Sequence, residues 1–192
     1  DGHGLPVMVW LYGGAFQTGS TCEKEFNGEQ LARQGVVVVS IAYRLNVFGF
    51  FAHAMLEKEA VDGRPCANFG FLDQRMGIQW VKDNIALFGG DPANITVFGQ
   101  SAGAASALAQ SVSPMNDGLF QRVIMQSGGG TGLFNRHLWS LEDAQRNGAR
   151  FLKYLEVESI AEARSVPATD LLEAAVTFPA CDWSGQGDDV VW

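Results

Sequence analysis

Gly99-Gln100-Ser101-Ala102-Gly103 is the segment whose residue types and spacing could do covalent chemistry. It fits G-x-S-x-G, the pattern of a serine held on a sharp turn between a strand and a helix. The flanks suit that reading. Ile95-Thr96-Val97-Phe98 reads as a strand running in, and the Ala-rich stretch from Ala102 to Ser111 as a helix running out. On such a turn, side chains two residues either side of the serine would collide, which accounts for Gly99 and Gly103. Ser101 Oγ then stands clear at the end of a sheet and at the start of a helix, where the helix dipole favours negative charge. Attack on an acyl carbon from that position also needs N–H donors for the tetrahedral oxyanion. One is expected from the residue after the serine, Ala102, and the others from a Gly-rich loop after an earlier strand. Tyr12-Gly13-Gly14-Ala15-Phe16 follows the apolar run Pro6 to Leu11 and fits that role.

The elements that must position these residues are legible from periodicity. Pro6–Leu11, Val36–Ala42, Ile95–Phe98 and Val123–Met125 are short runs apolar at successive positions. Such runs predict strands covered on both faces, as in parallel sheets. Helices are predicted between them. Glu29–Gln34 ends at Gly35, and Phe71–Leu87 carries apolar residues mostly at three- and four-residue steps. Ala102–Ser111 leads to Pro114, and Glu142–Leu155 has Ser140 as its N-cap. Two shorter helices are expected near Ser159–Arg164 and Asp170–Val176, and a long surface loop over Ala52–Phe69. Strands alternating with helices imply an α/β protein, with a mainly parallel central sheet flanked by helices.

Composition bounds the function. The 192 residues include 23 Gly, and 13 basic against 21 acidic residues give a net charge of −8. Scattered acids at that charge argue against nucleic acid and anionic membrane surfaces as partners. Cys22, Cys66 and Cys181 are too few and too widely spaced for a disulfide framework or a metal site. No cofactor and no metal are expected. The longest aliphatic run, Val36–Val39, is far short of a membrane span. The chain starts at Asp1 and stops in an apolar run at Trp192, so both ends read as cuts through something larger. Compartment and oligomeric state have no sequence signal.

With these residues in view, the chain resembles the type-B carboxylesterase family, which includes cholinesterases and para-nitrobenzyl esterases, within the α/β-hydrolase fold. Phe88–Gly103 (FGGDPANITVFGQSAG) resembles the family's serine motif, and Asn68–Leu87, Ala42–Phe50, Leu119–Gly128 and the Tyr12–Phe16 loop also match. The resemblance implies a serine carboxylic-ester hydrolase working through an acyl-enzyme on a small-molecule ester. It implies Ser101 as nucleophile and Gly14, Ala15 and Ala102 as oxyanion donors. Tyr12 stands where many members carry His, as it does in cholinesterases. The whole chain, residues 1–192, would be an internal part of a single α/β-hydrolase domain. Gln100 replaces the usual Glu beside the nucleophile, which weakens the case for a cationic substrate. Gln100, Phe16 and Phe134 are the expected substrate-binding residues, with Trp139 as a further aromatic near the loops.

The family's triad runs Ser, then acid, then His. His3 and His53 precede Ser101. His137 follows it by 137 − 101 = 36 residues, with only Asp117 as an acid between. His137 reads as a rim residue, not the base, so the acid and His are expected outside this chain, which alone should be nearly inactive. Two alternatives stay open: a non-catalytic adhesion or binding relative, and a hydrolase of amides or thioesters with the same elbow.

Overall fold

Val7, Val9 and Leu11 alternate with Met8 and Trp10, and that alternation divides the faces of the first strand. In the computed structural model, which describes residues 4–60, 66–128 and 140–178, Val7, Val9 and Leu11 are fully buried. The described elements run β1 (Leu5–Leu11), α1 (Glu29–Ala32), β2 (Val37–Ser40), α2 (Asn46–Phe50), α3 (Ala54–Glu59) and α4 (Phe69–Asn84). They continue with β3 (Gly90–Gln100), α5 (Ala102–Val112), β4 (Arg122–Gln126), α6 (Leu141–Tyr154), α7 (Ile160–Ala163) and α8 (Ala168–Thr177). The chain divides into two compact units, Asp1–Tyr43 with Phe71–His137, and Arg44–Gly70 with Leu138–Trp192.

The first unit holds a four-stranded parallel sheet in the order β2-β1-β3-β4. On one face Val7, Val9, Leu11, Ile95 and Val97 meet Ile78 and Val81 of α4, Ile85 just after it, and Ala107 of α5. On the other face the Trp10 ring packs on Phe98 and on Phe26, at centroid distances of 4.8 and 5.1 Å. There Gly28, just before α1, lies against Val38 of β2 so closely that a Cβ would sit 2.6 Å from a Val38 methyl. Helical segments therefore cover both faces, as expected for an α/β protein.

Several expectations change. The buried stripe is Gln74, Ile78 and Val81 of α4, continued by Ile85 in the 3-10 turn after it, while Met76, Trp80 and Leu87 stand exposed. The last turn of that helix tightens to 3-10 geometry over Ile85–Phe88 and stops at Gly89 in the left-handed region. The third strand begins at Gly90, well before Ile95, because the register with β1 shifts between Leu5 and Val7 and accommodates Pro92 in an irregular stretch. Among the described residues β4 is an edge, and Ile124 and Met125 are 44% exposed, so that apolar run is not covered on both faces.

In the second unit the expected loop at Ala52–Phe69 instead contains α3, and a short helix, α2, precedes it. His53 caps α3: its Nδ1 accepts from Met55 N–H at 3.1 Å. The predicted cap of α6 is present, with Ser140 Oγ accepting from Asp143 N–H at 3.1 Å. Gly148 of that helix presses on the Ala52 carbonyl, where a Cβ would collide. Phe151 and Phe178 meet edge to face at 5.3 Å, in a core shared with Val47 and Ala175. An open apolar cleft of about 420 Å³ runs beside this core, with Phe48, Phe51, Leu56 and Phe69 in its walls. No described helix is long and apolar enough to cross a membrane.

Candidate active site

Strand β3 delivers Gln100 and α5 starts at Ala102, so Ser101 alone makes the turn. Its backbone lies at φ 56°, ψ −122°. A non-glycine residue held there carries strain of about 1–3 kcal/mol that the surroundings must offset. The surroundings are specific. Ser101 N–H donates to Gln126 O at the end of β4 (2.9 Å), and Ser101 O accepts from Ala105 N–H (3.0 Å) as the first bond of α5. The side chain makes no capping bond to that helix, so Oγ is not spent on the N-terminus it heads. The N–H groups of Ala102, Gly103 and Ala104 have no acceptor within the helix, as for any first turn. The first-turn N–H groups of α5 thus begin at the residue directly after Ser101.

Both glycines of the turn are required by contact. A Cβ on Gly99 would run into the Gly103 carbonyl and lie 2.7 Å from Leu11 O. One on Gly103 would run into Leu11 O and lie 2.9 Å from Tyr12 O. Bare backbone lets the start of α5 sit directly on the end of β1, where the Tyr12–Phe16 loop begins. Ala102, Ala104, Ala105 and Ala107 are fully buried and let the rest of α5 approach as closely.

The loop is built by its own carbonyls. Gly14 (φ 104°) accepts from Gln17 N–H at 2.9 Å and Thr18 N–H at 3.0 Å. In a planar trans peptide the next N–H points opposite to the carbonyl, so Ala15 N–H faces away from that turn. Ala15 (φ 56°) and Phe16 (φ 61°) are also in the left-handed region, which the sequence did not signal. Gly13 touches the serine turn: a Cβ there would lie 2.7 Å from Gln100 O, 3.2 Å from Ser101 Cβ and 3.3 Å from Gln100 Oε1. The Gly-rich loop, Gln100 and Ser101 are therefore brought together, as expected. Gly14 and Ala15 are exposed, Gln100 and Ser101 half-buried, and Ala102 buried.

Phe16 differs from its expected pocket role. It is 1% exposed and its ring meets Phe71 edge to face at 5.6 Å, which makes it an anchor of the loop within the core. Phe134, His137, Trp139 and His3 lie outside the described residues. Asp117 is exposed at the end of a 3-10 turn. His53 is 7% exposed, and burial pulls its imidazole below the ordinary value of 6.5. Tyr12 and Tyr43 form a pair that sequence reasoning missed. Their rings stack at 4.4 Å and 16°, Tyr12 Oη donates to Tyr43 O at 3.0 Å, and Tyr43 Oη donates to Tyr12 O at 2.6 Å. Burial pushes both phenols upward, so both hydroxyls stay protonated donors at neutral pH. The only sequence hint was an aromatic at the end of each of two neighbouring strands. Among the described residues no group of three or more His, Cys, Asp or Glu could hold a metal ion.

Comparison with known proteins gives this geometry a context. A model described as the carboxylesterase family matches residues 1–186. Para-nitrobenzyl esterase of Bacillus subtilis (strain 168) is 43% identical over 174 residues, which is 89% of this chain and 33% of that protein. Bile salt-activated lipase of Mus musculus is 50% identical over 133 residues, covering 66% of this chain and 21% of the lipase. Among solved structures, the Geobacillus stearothermophilus carboxylesterase EST55 superposes with a TM-score of 0.81 at 42% identity, over 93% of this chain and 37% of that one. A PNB esterase structure gives 0.80 at 37% identity, over 94% and 37%. The fold is thus that of the α/β-hydrolases, and the chain spans about a third of the length of the esterases it matches.

Proposed function

Because the chain belongs to the carboxylesterase family, we propose that it carries the nucleophile and oxyanion hole of a serine carboxylic-ester hydrolase. The observation that supports this most is the strained Ser101 backbone at a strand–helix turn, with Oγ free of the helix and Gly13 packed on its Cβ. Ser101 Oγ attacks the ester carbonyl. The oxyanion is received by the N–H groups of Gly14, Ala15 and Ala102, each such donor being worth about 3 kcal/mol in the transition state. The alcohol leaves, and water hydrolyses the acyl-enzyme. Serine at neutral pH needs a base to take its proton. We place that His, and the acid that orients it, in the remainder of a longer protein, since the chain spans about a third of its esterase relatives. On this reading residues 1–192 are part of one α/β-hydrolase domain, and the isolated chain turns over little ester.

The substrate is a small carboxylic ester. Gln100 beside the nucleophile is neutral, which favours a neutral ester over a cationic one. Gln100 and Phe134 are assigned to the substrate pocket, and Phe16 to anchoring the loop from beneath. The test is hydrolysis of a short-chain nitrophenyl ester by the intact protein. Activity that Ser101→Ala abolishes supports the assignment, and full activity in Ser101→Ala overturns it.

A further inference from the structure

The apolar interior of the first unit contains a row of polar side chains that the proposed chemistry does not use. Gln74 and Ser106 are fully buried, Gln110 is 3% exposed and Asn116 5%. Gln74 heads the buried stripe of α4, where an apolar residue of similar volume would pack without polar atoms. Burying an amide or hydroxyl costs free energy unless every group finds a partner. Apart from Asn116 Oδ1, which has no partner among the described residues, partners are found in one direction. Asn116 Nδ2 donates to Gln110 Oε1 (2.7 Å) and Gln110 O (2.8 Å). Gln110 Nε2 donates to Gln74 Oε1 (3.1 Å) and Phe71 O (2.9 Å). Gln74 Nε2 donates to Ser106 Oγ (2.9 Å). Ser106 is hydrogen-bonded to the Tyr43 hydroxyl. Since the one proton of that hydroxyl goes to Tyr12 O (2.6 Å), Tyr43 Oη accepts from Ser106.

The chain of donors therefore starts near the end of α5, crosses the interior through α4 and α5, and ends on a single main-chain carbonyl. That carbonyl is the first of the Gly-rich loop. Fixing Tyr12 O fixes the plane of the Tyr12–Gly13 peptide, and Gly13 is the residue that touches Gln100 O and Ser101 Cβ. Bonds that point the same way polarise one another, so each strengthens the next. The second bond of the pair, Tyr12 Oη to Tyr43 O, closes a ring that resists rotation of either residue.

We propose that Tyr43 is a positioning residue for the oxyanion loop, holding the Tyr12–Gly13 peptide against the Ser101 turn, with Ser106 and Gln74 holding Tyr43. The proposal rests on the ester-hydrolase reading above. It makes the distance between loop and nucleophile a property of the buried polar row as well as of the loop's own glycines.

Tyr43→Phe in the intact protein tests this, because it keeps the ring stacked on Tyr12 and removes only the hydroxyl. Removing a whole oxyanion donor lowers kcat by about 10²–10³. Misplacing the loop without removing a donor is expected to lower kcat for a nitrophenyl ester about tenfold, with KM within about twofold. Ser106→Ala and Gln74→Met cut the row behind Tyr43, and should give the same kcat-only pattern at about two- to fivefold. A Tyr43→Phe protein with wild-type kcat overturns the proposal. So does a kcat that falls only in proportion to the folded fraction measured by near-ultraviolet circular dichroism. If Tyr43→Phe does not fold, unchanged kcat in both Ser106→Ala and Gln74→Met overturns it. Ser101→Ala run in parallel separates the two readings. Full activity there refutes the hydrolase assignment itself, whereas loss there with a wild-type Tyr43→Phe refutes only the positioning role.

Discussion

Replacing Gly103 by Ala adds one methyl group where two main-chain segments are in contact. The new Cβ would run into Leu11 O, with Leu11 C at 2.8 Å and Tyr12 O at 2.9 Å. Ordinary carbon contacts lie at about 3.5–4.0 Å, so the end of β1 must retreat by about an ångström. No rotamer change can relieve this, because every atom involved is backbone. Overpacking costs about 1–3 kcal/mol in general, and a backbone clash belongs at the upper end, about 3 kcal/mol. Gly35→Ala is the control. Gly35 also has positive φ, 87°, but nothing lies within 4 Å of its Cβ position, so only the left-handed strain of about 1–2 kcal/mol applies. Urea unfolding of the intact protein should therefore place Gly103→Ala at a lower midpoint than Gly35→Ala. Because the retreating segment carries Tyr12 and Gly13, the folded Gly103→Ala protein should also lose most of its esterase activity, while Gly35→Ala keeps it. A Gly103→Ala protein no less stable than Gly35→Ala would refute the reasoning that the serine turn is packed directly on β1.

Two further expectations concern the second unit. His53 caps α3 through an unprotonated Nδ1, and burial lowers its pKa from 6.5. Above that value both folded and unfolded chains carry a neutral ring and the contribution to stability is complete. As pH falls below it, the unfolded chain binds the proton first and stability is lost, down through the depressed folded value. Thermal melts from about pH 7.5 to pH 5 should show this decline, and His53→Asn, a cap that does not titrate there, should flatten it. An unchanged slope in His53→Asn would exclude His53 as its source. Separately, Ser140→Ala removes the Oγ that accepts from Asp143 N–H and should cost about 1 kcal/mol in an unfolding measurement, with Ser140→Asp recovering most of it. A neutral Ser140→Ala would mean that α6 starts without its cap.

The serine turn was legible because its constraints are local. Gly99, Ser101 and Gly103 sit within five residues, and the contacts that demand glycine can be anticipated from that spacing alone. The α4 stripe was less so. Met76, Trp80 and Leu87 have the composition and roughly the step of a core face, yet the packed face is led by Gln74. A polar residue in a buried row is invisible until its partners, 32 and 36 residues away, are placed beside it. The Tyr12–Tyr43 pair was missed for the same reason: the two residues are 31 apart and meet only because β1 and β2 are neighbours in the sheet. The stretch holding α3 reads as a loop because that helix is only six residues long and its cap is a histidine, a residue outside the usual capping set. The positive φ at Ala15 and Phe16 had no signal, since neither residue type favours it.

The central claim is that Ser101 is an activated nucleophile. It is tested most directly by treating the intact protein with a fluorophosphonate, which phosphonylates an activated serine with loss of fluoride, and locating the adduct by peptide mass mapping. The prediction is a single stoichiometric adduct on Ser101, absent from Ser101→Ala and from heat-unfolded protein. An adduct on another serine, or none on Ser101 while the protein hydrolyses esters, would contradict it.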